Sequence, residues 1–356
     1  MKIAILSFYS GSSERGVENW TQEIAGKLSV NHKVVVYQRT STVGQSYGVE
    51  VVKVGFNDSY ATNQLGIARR FFIDYASLKI AWFTLKCFPK LFKKGYDIVV
   101  PTNGGWQSAM MRLFTWLTGA KMVIVGHSGI GWDDRNNLWC FPDTFVALST
   151  VAKDWAIRVT PFKSVVVIPD GVDLRKFGKS GPKVKIGTER PIVLLVAALE
   201  ESKRIGLAIK AVSKMKKGSL LVLGGGSKEK DIMALGTRIL GNRFKMMKVS
   251  YQNIQEYYRA VDVFTLPSWG REAFGMVYLE AMACGLPVVA TDDDLRREIV
   301  GDAGILVDPT IVEDYTKALE ECAGEDWGNK PRIQAEKFGW DKVSRMYEDL
   351  FLKLAA

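Results

Sequence analysis

Apolar residues along this chain of 356 residues fall into short β-branched runs bounded by turn residues, with longer stretches of helical spacing between them. In the first half the runs are KIAIL (2–6), HKVVVY (32–37), VEVVKV (49–54), YDIVV (96–100), AKMVIV (120–125), TFVALS (144–149) and SVVVIP (164–169). Few of them alternate apolar with polar positions, which is the pattern of strands covered on both faces. The second half repeats the style with PIVLLVAAL (191–199), GSLLVLGGG (218–226), KMMKVS (245–250), DVFTLPS (262–268), LPVVATD (286–292) and AGILVDP (303–309). Each half therefore predicts an α/β fold with a doubly wound, parallel, Rossmann-like sheet. The stretch DLRKFGKSGPKVKIGTERP has no apolar period and is rich in Gly, Pro and charge, so it is the expected linker. Domains over 1–171 and 172–335 follow, with a cleft facing the carboxyl ends of both sheets.

Two helical patterns stand apart from this scheme. The last, WDKVSRMYEDLFLKL, places Val343, Met346, Tyr347, Leu350 and Leu354 on one stripe that must pack on something. The other, over 69–94, aligns Phe71, Tyr75, Leu78, Trp82 and Leu85 at 4-3-4-3 spacing and carries seven Lys and Arg against one Asp. It reads either as a helix packing on the core with a solvated basic side or as one lying in a membrane interface. Its apolar residues cover more than one face, so the two readings are compatible.

Charge sharpens this picture. The net charge is +10, and residues 1–170 hold 19 Lys and Arg against 12 Asp and Glu, whereas 171–356 hold 29 against 26. The first half is expected to face any anionic partner. A nucleic-acid role is disfavoured, since no recognised binding module accompanies the charge. Cys87, Cys140, Cys284 and Cys322 lie far apart with only two histidines to help them, which argues against zinc and disulfides and for a reducing cytoplasm. MKIAILSF is too short for a signal segment and reads as a first buried strand.

The richest chemistry lies in DVFTLPSWGREAFGMVYLEAMACGLPVV, where a strand gives way to a loop and then to a helix starting near Gly275. Helix starts present unpaired N–H groups and positive dipole to anions, and a glycine there lets phosphate approach the backbone. Glu272 and Glu280 are each suited to accept hydrogen bonds from a vicinal diol, or else serve as a helix-start charge and an exposed helix residue. Lys203 and Arg204, after another strand, suit diphosphate neutralisation or are simply solvated. His127, in VIVGHSGIGW, ends a strand amid glycines and is either a functional histidine or a hydrogen-bonded structural residue. Asp292, Asp293 and Asp294 are poorly disposed to share one cation and read better as loop or cap. Gly224–Gly226 resembles a nucleotide loop only weakly, and SGSSERGVEN (10–19) is a candidate to line the opposite wall.

Taken together, these segments resemble the retaining GT-B glycosyltransferases of family 4 (group 1) over nearly the full chain. EAFGMVYLE resembles that family's E-x7-E signature, RGVEN its N-terminal glycine loop, GHS its histidine loop and VIPDGVD its interdomain segment. The resemblance implies two Rossmann-like domains facing each other across a cleft, with 336–356 a helix crossing back to the first. It further implies that Glu280 binds the nucleotide ribose, that Glu272 and His127 serve the donor sugar, and that Lys203 neutralises the diphosphate. Phe274, Gly275, Met276 and Val277 would supply backbone amides, and Gly16 would approach the phosphates. The family needs no metal and no cofactor besides the nucleotide-sugar donor. Three departures stand out: Ala197-Ala198-Leu199 replaces Gly-Arg-Leu, with Arg204 a candidate substitute for the lost guanidinium; Arg15 replaces a glycine; and Asp170 replaces an asparagine.

The expected function is retaining, metal-independent sugar transfer to a glycan or lipid-linked acceptor of the cell envelope. The protein is expected in the cytoplasm, peripheral at the inner face of the membrane, with an anionic membrane surface as a further candidate partner. The alternatives are a catalytically inactive nucleotide-sugar-binding subunit and a nucleotide-sugar epimerase, the latter disfavoured because no acid/base pair is evident.

Overall fold

The computed structural model describes residues 1–12, 16–40, 45–55, 70–160, 164–270 and 272–356. The chain divides into two compact units, Met1–Asp170 with Trp340–Ala356, and Gly171–Gly339.

Unit 1 is built on seven parallel strands in the order β3-β2-β1-β4-β5-β6-β7. They are β1 (Lys2–Leu6), β2 (Lys33–Gln38), β3 (Gly48–Val51), β4 (Ile98–Pro101), β5 (Lys121–Val125), β6 (Thr144–Ala147) and β7 (Val165–Val167). Ile3, Ala4, Ile5 and Leu6 are all fully buried, which is why β1 is a continuous apolar run: helices cover both faces and leave no place for a polar alternate. Unit 2 carries six parallel strands in the order β10-β9-β8-β11-β12-β13. Their ranges are β8 (Ile192–Val196), β9 (Ser219–Leu223), β10 (Phe244–Met247), β11 (Val263–Leu266), β12 (Val288–Thr291) and β13 (Gly304–Val307). Each expected strand is present, and both sheets are doubly wound. Strand order reverses between β1 and β4 in one unit and between β8 and β11 in the other, which marks the usual ligand crevice of each sheet.

The expected linker is not a free tether. The units change over at Asp170–Gly171, and the Gly- and Lys-rich stretch after it packs on unit 2. Phe177 is fully buried beside Tyr251 and Tyr258, and Arg259 donates to the carbonyls of Lys176 and Gly178 at 2.8 and 2.7 Å. One aromatic anchor with carbonyl-directed guanidinium bonds orders a segment that has no apolar period.

The helix Trp340–Ala355 belongs to unit 1. Val343, Tyr347 and Phe351 are buried, Trp20 Nε1 donates to the Tyr347 hydroxyl at 3.2 Å, and Lys27 pairs with Asp341 at 2.7 Å. The basic helix starts later than its pattern suggests, at Tyr75 rather than near residue 69, because Asp74 caps it by accepting from the amides of Ala76 and Ser77. Arg69 lies outside the described residues. The outcome for its apolar stripe is a correction to the core-packing reading. Phe71, Tyr75, Leu78, Trp82 and Leu85 are the outward face, 43–61% exposed, while Phe83, Cys87 and Leu91 form the buried one, with Phe83 edge-on to Phe8. The sequence holds two apolar stripes at neighbouring phases, and the core takes the one with the tighter fit.

Candidate active site

In unit 2 the exits of β8 and β11 flank the crossover point, and two loops meet there. The Trp269 amide donates to the Ser202 carbonyl at 2.9 Å, joining the loop after β11 to the turn Glu201–Lys203 after β8. Lys203 Nζ then reaches both carboxylate oxygens of Glu272, at 2.9 and 2.6 Å. Both side chains are largely shielded, 20% and 15% exposed, so this ion pair is less screened than a surface pair. The two groups are 69 positions apart in sequence, and the sheet topology brings them into contact.

Four residues after Glu272 the helix Met276–Ala283 begins. Gly275 sits at φ +99°, and a Cβ there would lie 2.7 Å from the Tyr278 ring, so both conformation and space call for glycine. No side chain caps this helix, which leaves the amides of Gly275, Met276 and Val277 outside its hydrogen-bond ladder and aimed beyond its start. Phe274 is buried against Phe338, fixing the approach to the helix, and the Tyr278 hydroxyl donates to the Leu266 carbonyl at 2.7 Å. Glu280, a turn further on, is buried rather than exposed. It accepts from the Tyr258 hydroxyl at 2.8 Å, and burial pushes its pKa up to about 7 against the opposing hydrogen bonds of Tyr258 and Tyr251 and the charge of Lys176.

Arg204 adopts φ +48° at the start of the helix Ile205–Lys214. Its Nε donates to the Pro267 carbonyl at 2.7 Å, and its Nη2 to the Ser268 carbonyl at 3.0 Å and Thr291 Oγ1 at 3.2 Å. Burial, followed by the nearby Arg296, lowers its pKa. The guanidinium thus holds the loop between β11 and Glu272 in place.

Sequence reasoning did not single out Arg296, which is 0% exposed. Its Nη2 donates to Ser268 Oγ at 2.5 Å and the Trp269 carbonyl at 3.0 Å, and its Nη1 pairs with Asp293 at 2.5 Å. In LRREIV it is one of two adjacent arginines, and nothing in the string tells the buried one from Arg297. Tyr258, in EYYRAV, was missed likewise. The three aspartates are all engaged: Asp293 caps the helix Asp294–Val300, and Asp292 and Asp294 pair with Arg297 at 2.8 and 3.0 Å.

The glycines 224–226 have a packing explanation. A Cβ on Gly224 would fall 1.9 Å from the Ala197 carbonyl oxygen, and one on Gly226 2.6 Å from that of Leu199. The exits of β8 and β9 therefore press backbone on backbone. Ala198, where the family pattern has arginine, is exposed beside that contact.

In unit 1, Gly16 opens the helix Gly16–Leu28, while Arg15 lies outside the described residues. His127 follows β5 and meets Trp20 of that helix edge-on, with ring centroids 5.0 Å apart. Its Nε2 is shielded from solvent and has no hydrogen-bond partner among the described residues. Burial pushes its pKa down to about 3, so the ring is neutral at pH 7 and offers one donor and one acceptor nitrogen. Buried Asp170 is pushed up to about 7 for the same reason.

Comparisons with known proteins bear on the family and the fold. The family model described as glycosyl transferases group 1 matches residues 178–336, and that of glycosyltransferase family 4 matches residues 15–176. Among curated proteins, the chain is 27% identical over 220 residues to a phosphatidyl-myo-inositol mannosyltransferase of Mycolicibacterium smegmatis, covering 57% of this chain and 56% of that protein. It is 29% identical over 173 residues to a GDP-mannose-dependent monoacylated alpha-(1-6)-phosphatidylinositol monomannoside mannosyltransferase of Corynebacterium glutamicum, covering 43% and 45%. A D-inositol 3-phosphate glycosyltransferase of Paenarthrobacter aurescens is 42% identical over 98 residues, 26% of this chain and 24% of that one. The chain thus spans about half or less of the length of these relatives. In fold it is similar to sucrose-phosphate synthase of Thermosynechococcus elongatus, with TM-score 0.80, 19% identity and 99% and 98% of the two chains covered. It is also similar to HepE of Anabaena in complex with UDP and glucose, with TM-score 0.75, 18% identity and 99% and 100% covered.

Proposed function

Since the chain belongs to the group 1 glycosyltransferases with the GT-B fold, we propose that it transfers a sugar from a nucleotide-diphosphate donor to an acceptor hydroxyl, with retention and without a metal ion. The observation that carries this reading is the Lys203–Glu272 ion pair set beside the uncapped amides of Gly275, Met276 and Val277 at the crossover point of unit 2.

Glu272 occupies the ammonium of Lys203 as a phosphate oxygen would, and an arriving diphosphate displaces it. That exchange frees the Glu272 carboxylate to accept from sugar hydroxyls, while the helix amides bind the phosphates. Glu280, held by Tyr258, receives the ribose diol. As the bond from the anomeric carbon to the phosphate oxygen breaks, charge grows on the diphosphate, where Lys203 and the amides stabilise it. The acceptor oxygen bonds to the anomeric carbon on the same face, and its proton passes to the departing phosphate oxygen. His127, neutral, is suited to hydrogen-bond a sugar hydroxyl. Arg204 supports the reaction by fixing the loop that bears Glu272.

For the acceptor we favour a lipid-linked or envelope glycan. Support comes from two relatives named for phosphatidylinositol acceptors and from the concentration of positive charge in residues 1–170. A second reading, a donor-binding subunit without turnover, is favoured by the alanine at 198.

A thermal-shift screen over UDP, GDP and ADP sugars, followed by a transfer assay with the stabilising donor, separates these readings. Sugar transfer that is lost in Lys203→Ala and Glu280→Gln, with folding retained, supports the enzyme. Donor binding with neither transfer nor hydrolysis assigns the silent subunit, and unchanged turnover in both variants overturns the site.

A further inference from the structure

Asp134 is buried in the first turn of the helix Trp132–Trp139, and the donor chemistry above makes no use of it. A carboxylate taken out of water needs hydrogen-bond donors to offset its lost hydration. Asn137 Nδ2 donates to its Oδ1 at 3.1 Å, and the backbone amides of Ser128 and Gly129 donate to the same group. Just before His127 the chain also lies against it: a Cβ on Gly126 would come within 3.1 Å of Asp134 Oδ2 and 2.7 Å of the Phe145 ring. One carboxylate therefore meets the backbone on both sides of His127, whose ring is edge-on to Trp20.

The contacts extend to a second loop. Ser108 Oγ, on the helix Trp106–Thr118, donates to Asn137 Oδ1 at 3.0 Å, and Gly104, at φ +67°, passes so close that a Cβ would sit 3.1 Å from that oxygen. Asp134, Asn137 and Ser108, all buried, thus tie the loop leaving β4 to the loop leaving β5. A satisfied buried polar network rigidifies what it joins. We propose that Asp134, held by Asn137, is a positioning residue: it clamps the segment Gly126–Gly129 and so fixes the imidazole of His127. A histidine amid glycines has no such fixity of its own, and its neutral ring offers no charge by which to hold it. The inference rests on the proposed role of His127 at the donor sugar, where a small misplacement lowers the rate.

The chain has only two histidines, so isotope-labelled histidine lets NMR follow His127 beside His32. In the parent its imidazole should stay neutral down to at least about pH 5. In Asp134→Ala it should titrate nearer the ordinary value of about 6.5, and the Ser128 and Gly129 amides should exchange with solvent at least about tenfold faster. Asn137→Ala should move both in the same direction and supplies the test if Asp134→Ala does not fold. Asp134→Asn, which keeps one acceptor oxygen, should restore part of each, and Asp133→Asn, the neighbouring acid, should change neither. In transfer assays Asp134→Ala should lower kcat about 10- to 100-fold, with nucleoside-diphosphate affinity unchanged, and should add no further loss in a His127→Ala background. Unaltered titration and exchange in the folded variants would overturn the clamp, and fully additive losses would overturn positioning through His127. Parental turnover in His127→Ala would instead overturn the role of that histidine in transfer, while titration and exchange still decide the clamp.

Discussion

The two units share a doubly wound parallel sheet but differ in where they direct their charged and aromatic side chains. In unit 2, Arg204, Arg296 and Arg259 turn inward onto carbonyls of their own loops, and Lys203 is neutralised by Glu272. In unit 1, Lys86, Arg112 and Arg135 lie over indoles at the surface. Among the described residues, sixteen of the 22 large apolar side chains left exposed belong to unit 1, including all the aromatic ones except Trp269. One fold therefore supports two designs. Unit 2 turns its guanidinium groups onto the loops around the crossover point, and unit 1 leaves its aromatic side chains at the surface.

The strongest way to break this contrast is to remove the inward charge. Arg296→Met removes the donor to Asp293, Ser268 Oγ and the Trp269 carbonyl, and should cost about 3 kcal/mol of stability. Arg297→Met, on the solvent side of the same helix, should leave the urea midpoint where it is. Equal midpoints for the two variants would show that Arg296 does not organise the loop. Next, Lys203→Ala should lower transfer by roughly 10²–10³-fold, the scale of losing one preorganised charge contact, with little change in melting temperature. A similar melting point with near-parental turnover would remove Lys203 from the chemistry.

A smaller effect concerns pH. Burial raises the Glu280 carboxyl from its ordinary value of 4.5 to about 7, so between those values the folded protein binds more protons than the unfolded chain. Stability from this group is therefore full below about pH 4.5 and is lost as pH rises toward 7, by about 3 kcal/mol. Glu280→Gln should flatten that slope relative to the parent in denaturation followed across this range. Identical slopes would show that Glu280 ionises normally. His127 in unit 1 acts in the opposite sense: its lowered pKa makes stability fall as pH drops below about 6.5. The smallest effect separates binding from turnover. Glu272→Gln weakens the internal competitor for Lys203 and should tighten nucleoside-diphosphate binding about threefold, while transfer slows. Calorimetry of the diphosphate alone, set against steady-state rates, reads the two separately, and weaker diphosphate binding would contradict the displacement.

The contrast also explains what the sequence could disclose. Strands were legible because strands covered on both faces must be apolar throughout, and the loop before Gly275 because φ +99° demands glycine wherever a helix starts that way. The pairing of Lys203 with Glu272 was not legible, because it depends on β8 and β11 becoming neighbours across 69 residues. Arg296 and Arg297 are identical in type and adjacent, and only the helix phase decides which is buried. The outward turn of Trp82 was open for a related reason: its helix offers two apolar stripes, and the choice lies with Phe8 and Phe114 on other elements. Periodicity reports that a face is apolar, whereas its partner is a tertiary fact.

Ala198 stands exposed at the end of β8, beside a floor where backbone already meets backbone. Its exposure leaves solvent-filled space for a longer side chain. On the proposed donor chemistry, the charge offered to the leaving diphosphate is thus adjustable at this one position without touching the framework. Ala198→Arg is the single substitution by which engineering could trade product retention against rapid release.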